Sequence, residues 1–499
     1  MLESLALGFS TALTLANLGY AFAGVLFGTL VGVLPGLGPV ATLAMLLPFT
    51  YTLEPASAVI LLAGIYYGAQ YGGSTTAILL NLPGEASAVV TCLDGYRLAR
   101  KGRAAVALAT AAVASFLAGT LATAALALFA PWFAEAALAL GPADYCSLMM
   151  LGLTGAMVLA QGSLLRAFAM TLTGLLLGLI GTDVQTGTLR YTFGTITLQD
   201  GLDFAVLSMG LYGVADIALY LAHPEVRSRT LSAVGSIRPA PDERKPATLA
   251  ALRGTAIGTI LGVLPGGGAL LSAFAAYTVE KKLPCRPSET PVGKGNLRGV
   301  AAPEAANNAG AQTSFIPMLT LGIPSNAVMA MMAGALMLHN IAPGPQFLTD
   351  HPDLFWGLVA SMWIGNAFLL ILNLPLASLW ARLLTVPYRW LFPAILLFCA
   401  TGALSVVLEP SDVLMLGFFG LVGLFFATTG CECAPLLLGF LLGPLFEEHL
   451  RRALLLSHGD FSVFVTSGPS LAALLATLLL LSAVLRPSIR RQRETAFRE

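Results

Sequence analysis

The sequence predicts an all-α polytopic membrane protein, an inverted structural repeat with re-entrant or broken helical hairpins and about 11–14 membrane segments. Three observations predict it. The 499-residue chain is 57% hydrophobic and only 10% charged, where soluble proteins carry roughly 25% charged residues. Mean hydropathy is +0.81, and the apolar runs are long and unbroken, unlike the alternating strands of a membrane barrel. Finally, motifs from the first half recur in order in the second, while the basic loops change places.

Apolar spans fall at about 15–50, 56–83, 104–130, 143–160, 164–181 and 201–222, then 249–280, 300–340, 354–374, 390–408, 411–428, 434–456 and 470–486. They divide the chain into an N-terminal segment (1–14), a first repeat (15–222), a cytoplasmic linker (223–248), a second repeat (249–456), and an extra transmembrane helix with a basic cytoplasmic tail (457–499). The net charge is zero, so charge gives no reason to expect a nucleic-acid partner. The six cysteines and five histidines show no zinc-ligand spacing and are read as packing or isolated residues. No metal centre is expected beyond a coupling sodium.

The repeat is read from paired strings. Gly32-Val-Leu-Pro-Gly36 recurs as Gly262-Val-Leu-Pro-Gly266, and Gly68-Ala-Gln70 as Gly310-Ala-Gln312. Hydroxyl clusters follow each, then the proline breaks at Pro83 and Pro324, and later Thr154-Gly-Ala156 and Thr401-Gly-Ala403. Arg97, Arg100, Lys101 and Arg103 follow the proline break of the first half, whereas the matching loop 341–353 has no Lys or Arg. In the second half Lys281, Lys282, Arg286, Lys294 and Arg298 follow the first hairpin, where the first half has only Glu54. Exchanged basic loops mark an inverted repeat. Placing basic loops inside makes 84–103, 161–166, 223–248, 281–299 and 375–389 cytoplasmic, with 131–142, 182–200, 341–353 and 409–412 external. The N-terminus is then periplasmic and the C-terminus cytoplasmic. Arg190 and the pair Arg451 and Arg452 fit this walk poorly.

Spans 15–50 and 249–280 each break at a Gly/Pro knot and are read as hairpins with tips inside the membrane. Unpaired backbone there needs protein or a wet cavity around it. Spans 56–83 and 300–340 are read as broken helices with uncharged polar middles. Exposed N–H groups and helix N-termini at such breaks suit a carboxylate, and freed carbonyls suit sodium. The substrate-binding candidates are Gly36, Gly38, Gln70, Gly73, Ser74, Thr75, Thr76, Gly266, Gly267, Asn307, Asn308, Thr313 and Ser314. The ion-coupling candidates are Asn81, Pro83, Glu85, Glu304, Pro324 and Ser325. Glu85 and Glu304 are expected near the cytoplasmic end, paired with a basic loop, and Asp216 is a further buried acid. Asp94 is read as a loop contact beside Arg97. Isolated glycines such as Gly174 and Gly178 are read as packing residues.

Longer strings carry a family resemblance. Gly32-Val-Leu-Pro-Gly-Leu-Gly-Pro39, Ile65-Tyr-Tyr-Gly-Ala-Gln-Tyr-Gly-Gly-Ser74, Leu80-Asn-Leu-Pro-Gly-Glu-Ala86, Gly299-Val-Ala-Ala-Pro-Glu-Ala-Ala-Asn-Asn308 and Gly443-Pro-Leu-Phe-Glu-Glu-His-Leu-Arg-Arg452 resemble the large membrane subunit of tripartite tricarboxylate transporters, the TctA type. The resemblance covers nearly the whole chain, although Gln312-Thr-Ser-Phe315 replaces a glycine-rich stretch of the family. It implies a small four-helix membrane subunit and a periplasmic solute-binding protein as partners, and a bacterial inner membrane. It also implies import of citrate-like carboxylates driven by a sodium or proton gradient. No other cofactor is expected, and no Walker-type phosphate loop is present. A membrane-embedded enzyme acting on a lipid-linked substrate would need a convergent nucleophile–base set, which the sequence lacks. A passive anion channel would seldom need two occluding hairpins.

Overall fold

The computed structural model describes residues 1–33, 38–81, 84–160, 163–183, 186–215, 218–219, 237–264, 268–285, 289–374, 376 and 410–485. The chain opens with α1 (Leu2–Ala12), α2 (Leu15–Val33), α3 (Pro39–Thr50) and α4 (Pro55–Leu80). A 3₁₀ turn at Ala86–Ala88 leads into α5 (Val89–Arg100), α6 (Ala104–Leu138), α7 (Pro142–Leu159) and α8 (Leu164–Gly178). A two-residue antiparallel ladder follows, β1 (Gly181–Thr182) with β2 (Leu189–Arg190), Gly181 opposite Arg190. Then α9 (Phe204–Ser208) continues as a π-helical stretch, Met209–Val214. The second half has α10 (Pro241–Val263), α11 (Gly268–Lys282), α12 (Arg298–Thr313), α13 (Phe315–Leu321), α14 (Ala327–Leu338), α15 (Phe347–Asp350) and α16 (Pro352–Asn373). The last helices are α17 (Pro410–Thr428), α18 (Ala434–Leu456), α19 (Val463–Thr466) and α20 (Gly468–Leu485).

Proline opens α3, α4, α7, α10 and α16, where its missing N–H breaks no helix bond. Helices α4 and α13 stop at residues in the left-handed conformation, Asn81 (φ 59°) and Gly322 (φ 70°), so the chain turns sharply at both sites. Among the described residues four helices, α2, α6, α10 and α16, are long and apolar enough to cross a bilayer, and six shorter helices are also apolar. With the near-absence of strands, this makes the chain an all-α polytopic membrane protein.

Helices α4 and α12 form the centre. Twenty-two of the 26 residues of α4 are buried, as are all 16 of α12. Both are rich in polar residues, which is tolerable at membrane depth because protein surrounds them. The two are sheathed in the same way. Gly24, Gly28 and Gly32 of α2 face the carbonyls of Leu61, Ile65 and Ala69, so close that an added Cβ would lie 2.2–2.3 Å from each oxygen. Gly254, Gly258 and Gly262 of α10 face Ala302, Ala306 and Gly310 in equivalent fashion. Small residues every fourth position let the backbones meet. Gly174 and Gly178 also serve packing, against the carbonyls of Leu436 and Phe440.

Several expectations change. Span 56–83 is not broken in its middle: α4 is continuous to Leu80, because Ser74 and Thr76 bond carbonyls of their own helix and polarity alone does not interrupt it. Span 300–340 breaks twice, at Ser314 and at 322–326. Helix α10 begins at Pro241, inside the expected linker, and so is 23 residues long. The first hairpin is splayed, since α2 lies along α4 rather than α3. Loop 84–103 contains α5, and the N-terminal segment is helical, with Phe9 stacked on Trp363. The span 390–408, residues 223–236 of the linker, and the tail from 486 lie outside the described residues, as do Asp216, Gly36, Pro83, Gly266 and Gly267.

Candidate functional site

A cavity of about 280 Å³ lies where the two halves meet, close to the lower end of the roughly 300–1,000 Å³ of small-molecule sites. Four helix beginnings contribute to its walls. Gly38, Pro39 and Val40 belong to the start of α3; Gly268, Ala269 and Leu270 to the start of α11; Asn326 and Ala327 to the start of α14. Ala434, the first residue of α18, lines the facing wall with Ala160 and Tyr212. The 3₁₀ turn adds Ala86 and Ser87. No side chain caps α3 or α18, whereas Asn326 caps α14 through the Met329 N–H. Helix N-termini carry partial positive charge and unsatisfied N–H groups. Their convergence suits an anion without any basic side chain, and among the described residues no Lys, Arg or His lines the cavity. Two carboxylates, Glu85 and Glu432, do line it.

The sequence candidates separate into groups. Gly38, Gln70, Glu85 and Ser325 line the cavity. Glu85 accepts from Ser87 and from Asn307 Nδ2 at 3.1 Å. Ser87 also reaches Gln70 Oε1 at 3.3 Å. Gly73 abuts Glu85 from behind. Ser74 and Thr75 instead face α6 in a crevice large enough for about one water. There Glu304, 1% exposed, accepts from Ser74 Oγ and Thr91 Oγ1, both at 2.5 Å. Asn308 turns to Ser115 of α6 at 2.8 Å. Thr76 bonds its own helix at Gly73. Thr313 and Ser314 reach the carbonyls of Gly258 and Gly262 and thus seal α10 to α12. Asn81 is exposed at the end of α4, and Pro324 lies in the turn after α13. The exposed N–H groups expected at Gln70–Thr76 are engaged in a continuous helix; those facing the cavity come from the next helices along the chain.

Neither Glu85 nor Glu304 has a basic partner among the described residues, contrary to the expected pairing with a loop. The loop charges are used elsewhere. Arg103 binds Glu243 through two hydrogen bonds of 2.9 and 2.5 Å, which raise the guanidinium pKa above its usual value. Arg253 and Arg298 both pair with the buried Glu280. Asp94 contacts a loop, but it is the loop of the other half. Sequence reading missed Ser87, Asn326, Tyr212 and Glu432. Only Asn326 carried a local signal, an Asn after a proline turn and before an apolar run.

Fold and cavity together define a multi-pass helical membrane protein with a partly open cavity between its two halves. The chain belongs to the tripartite tricarboxylate transporter TctA family, whose model matches residues 18–438. It is 53% identical over 500 residues, covering 100% of this chain and 99% of the relative, to an uncharacterized 52.8 kDa protein in the TAR-I ttuC' 3' region of Agrobacterium vitis. It is 55% identical over 243 residues, 48% of this chain and 99% of the relative, to an uncharacterized protein in the TAR-II ttuC' 3' region of the same organism. No solved structure matches. TctA is a transporter family whose members work with a second membrane subunit and a binding protein.

Proposed function

We propose that this chain is the large membrane subunit of a binding-protein-dependent secondary transporter that imports tricarboxylates or related small carboxylates across the bacterial inner membrane. One observation carries the reading: helix N-termini from both halves converge on a cavity without basic side chains. Such a site holds a carboxylate by backbone N–H groups and helix dipoles, and weak, distributed contacts allow release. Uptake is driven by an ion gradient, and the two acidic residues facing the cavity favour a co-bound cation or proton.

The packing supports an alternating-access reading. α4, α5, α11 and α12 are joined across the halves by Glu304 with Ser74 and Thr91, by Glu85 with Asn307, and by Asp94 with loop 293–296. We read them as one mobile unit, with mirror-related halves, moving against the outer helices in an elevator-like step. The small membrane subunit stabilises the outer helices, and the periplasmic binding protein delivers substrate at the external loops, with the C-terminus cytoplasmic. The test is uptake of radiolabelled citrate by proteoliposomes holding both membrane subunits and the binding protein, with sodium and proton gradients imposed separately. Accumulation against a gradient is expected. Only downhill, gradient-independent flux would show a channel and overturn the reading.

A further inference from the structure

We propose that Glu85 carries a coupling proton that enters and leaves with the substrate anion, a reading that rests on the carboxylate transport described above. Three features of the geometry support it. Glu85 lines the same cavity as the helix N-termini, so its ionised form and a bound carboxylate repel one another. Protonation removes that repulsion, and by linkage anion binding favours the proton as much as the proton favours the anion.

The hydrogen bonds accept either state. Ser87 Oγ has one proton but two acceptors within reach, the Glu85 carboxylate and Gln70 Oε1. When Glu85 is ionised, Ser87 donates to it. When Glu85 takes a proton, a new O–H bond forms on its carboxyl, that hydrogen is donated to Ser87 Oγ, and the Ser87 proton turns to Gln70 Oε1. Asn307 supplies a further acceptor: its Nδ2 bonds Glu85, while its Oδ1, in a side chain 1% exposed, has no donor among the described residues. Finally, Glu304 lies one helical turn before Asn307 on α12, and two carboxylates in one dry region favour sharing at least one proton. The proton comes from the external water and is released inside with the substrate, so no electron pair moves beyond the O–H bond.

The titratable groups around Glu85 are Tyr66 on α4, Glu304 on α12, and Tyr212 and Glu432 across the cavity. Cys92 and Asp94 lie on α5, the latter bound to Tyr277 of α11 and to loop 293–296. Arg97 also lies on α5, near Tyr277. Lys281 and Lys282 close α11 at its far end, and Arg253 and Arg298 are paired with Glu280.

The test is citrate binding to the purified membrane complex by titration calorimetry across mildly alkaline pH, where citrate is fully ionised, together with uptake driven by a proton gradient. In the native complex the Kd is expected to rise about tenfold per pH unit, the slope of one proton per anion. Glu85→Gln should make the Kd flat with pH and abolish proton-driven accumulation. Glu85→Asp should restore the slope. Glu304→Gln should keep the slope and move its midpoint to lower pH, and it carries the test if Glu85→Gln does not fold. A native Kd independent of pH, or proton-driven accumulation by Glu85→Gln, overturns the proposal. Absence of any citrate binding or exchange by the native complex overturns the substrate reading itself, and the proton assignment with it.

Discussion

Asp94 shows how a single side chain joins the two halves. It is 0% exposed and accepts the N–H groups of Gly293, Gly295 and Asn296 at 2.7–3.0 Å and the Tyr277 hydroxyl at 3.1 Å. Gly293 and Gly295, at φ of 92° and 93°, bend the loop so that successive N–H groups face inward, a concave anion nest filled here by the protein's own carboxylate. Hydrogen bonds to a charged group contribute about 1.5–3 kcal/mol each. Asp94→Asn places an amide N–H₂ among donors, and the purified protein should lose about 3 kcal/mol or more of stability, read as a marked drop in the melting temperature in detergent. Unchanged melting would sink the clasp. The sequence showed Asp94 beside Arg97; its true partners are about 200 residues distant, beyond the reach of local spacing.

At the scale of elements, the two glycine seams pack α2 on α4 and α10 on α12 in the same way. Gly28→Ala would set a Cβ about 2.2 Å from the Ile65 carbonyl, and Gly258→Ala about 2.4 Å from that of Ala306. Such contacts force backbones apart at about 1–3 kcal/mol each. Both substitutions should therefore lower the melting temperature by similar amounts, whereas Gly19→Ala, with nothing within 4 Å, should not. Tolerance of both seam changes would show that the helices are not in contact there. Much of this was legible beforehand. The helix ends at Val33 and Val263, the restarts at Pro39 and Gly268, and the turn at Pro324 follow from residues that end helices wherever they occur. The continuity of α4 was not legible, because Ser, Thr and Gln bond their own helix as readily as they break it. Nor was the parting of Asn307 from Asn308: neighbours on a helix point about 100° apart, and only the packed partners show which faces the cavity.

For the whole molecule, two of the three poorly fitting basic residues resolve into one cluster, and the third, Arg452, pairs with Glu448 one turn away. Arg190 and Arg451 both pair with Asp183 and Glu447, so two cations meet two anions and the cluster has no net charge. This places the β1–β2 loop and the C-terminal half of α18 on one face. Single cysteines at Thr186 and Arg452, in a cysteine-free background, should both react with an impermeant maleimide from the periplasmic side. Cysteines at Lys101 and Lys294, joined by a 2.9 Å bond from Lys101 Nζ to the Lys294 carbonyl, should react only from the cytoplasm. Labelling of the two pairs from the same side would contradict the exchanged loops. Charge counting along the sequence could not resolve this, since pairing across more than 250 residues decides which arginines act as topological anchors.

The burial of α12 also bears on how the chain is made. Arg298, Glu304, Asn307, Asn308 and Gln312 fall within its 16 residues, and a charged side chain costs an isolated helix about 3 kcal/mol on entering lipid. Released alone into the bilayer during synthesis, this helix would be rejected. Its two sheathing helices, α10 and α11, are synthesised immediately before it, so the order of translation supplies a waiting groove of small residues just ahead of the segment that cannot settle without one.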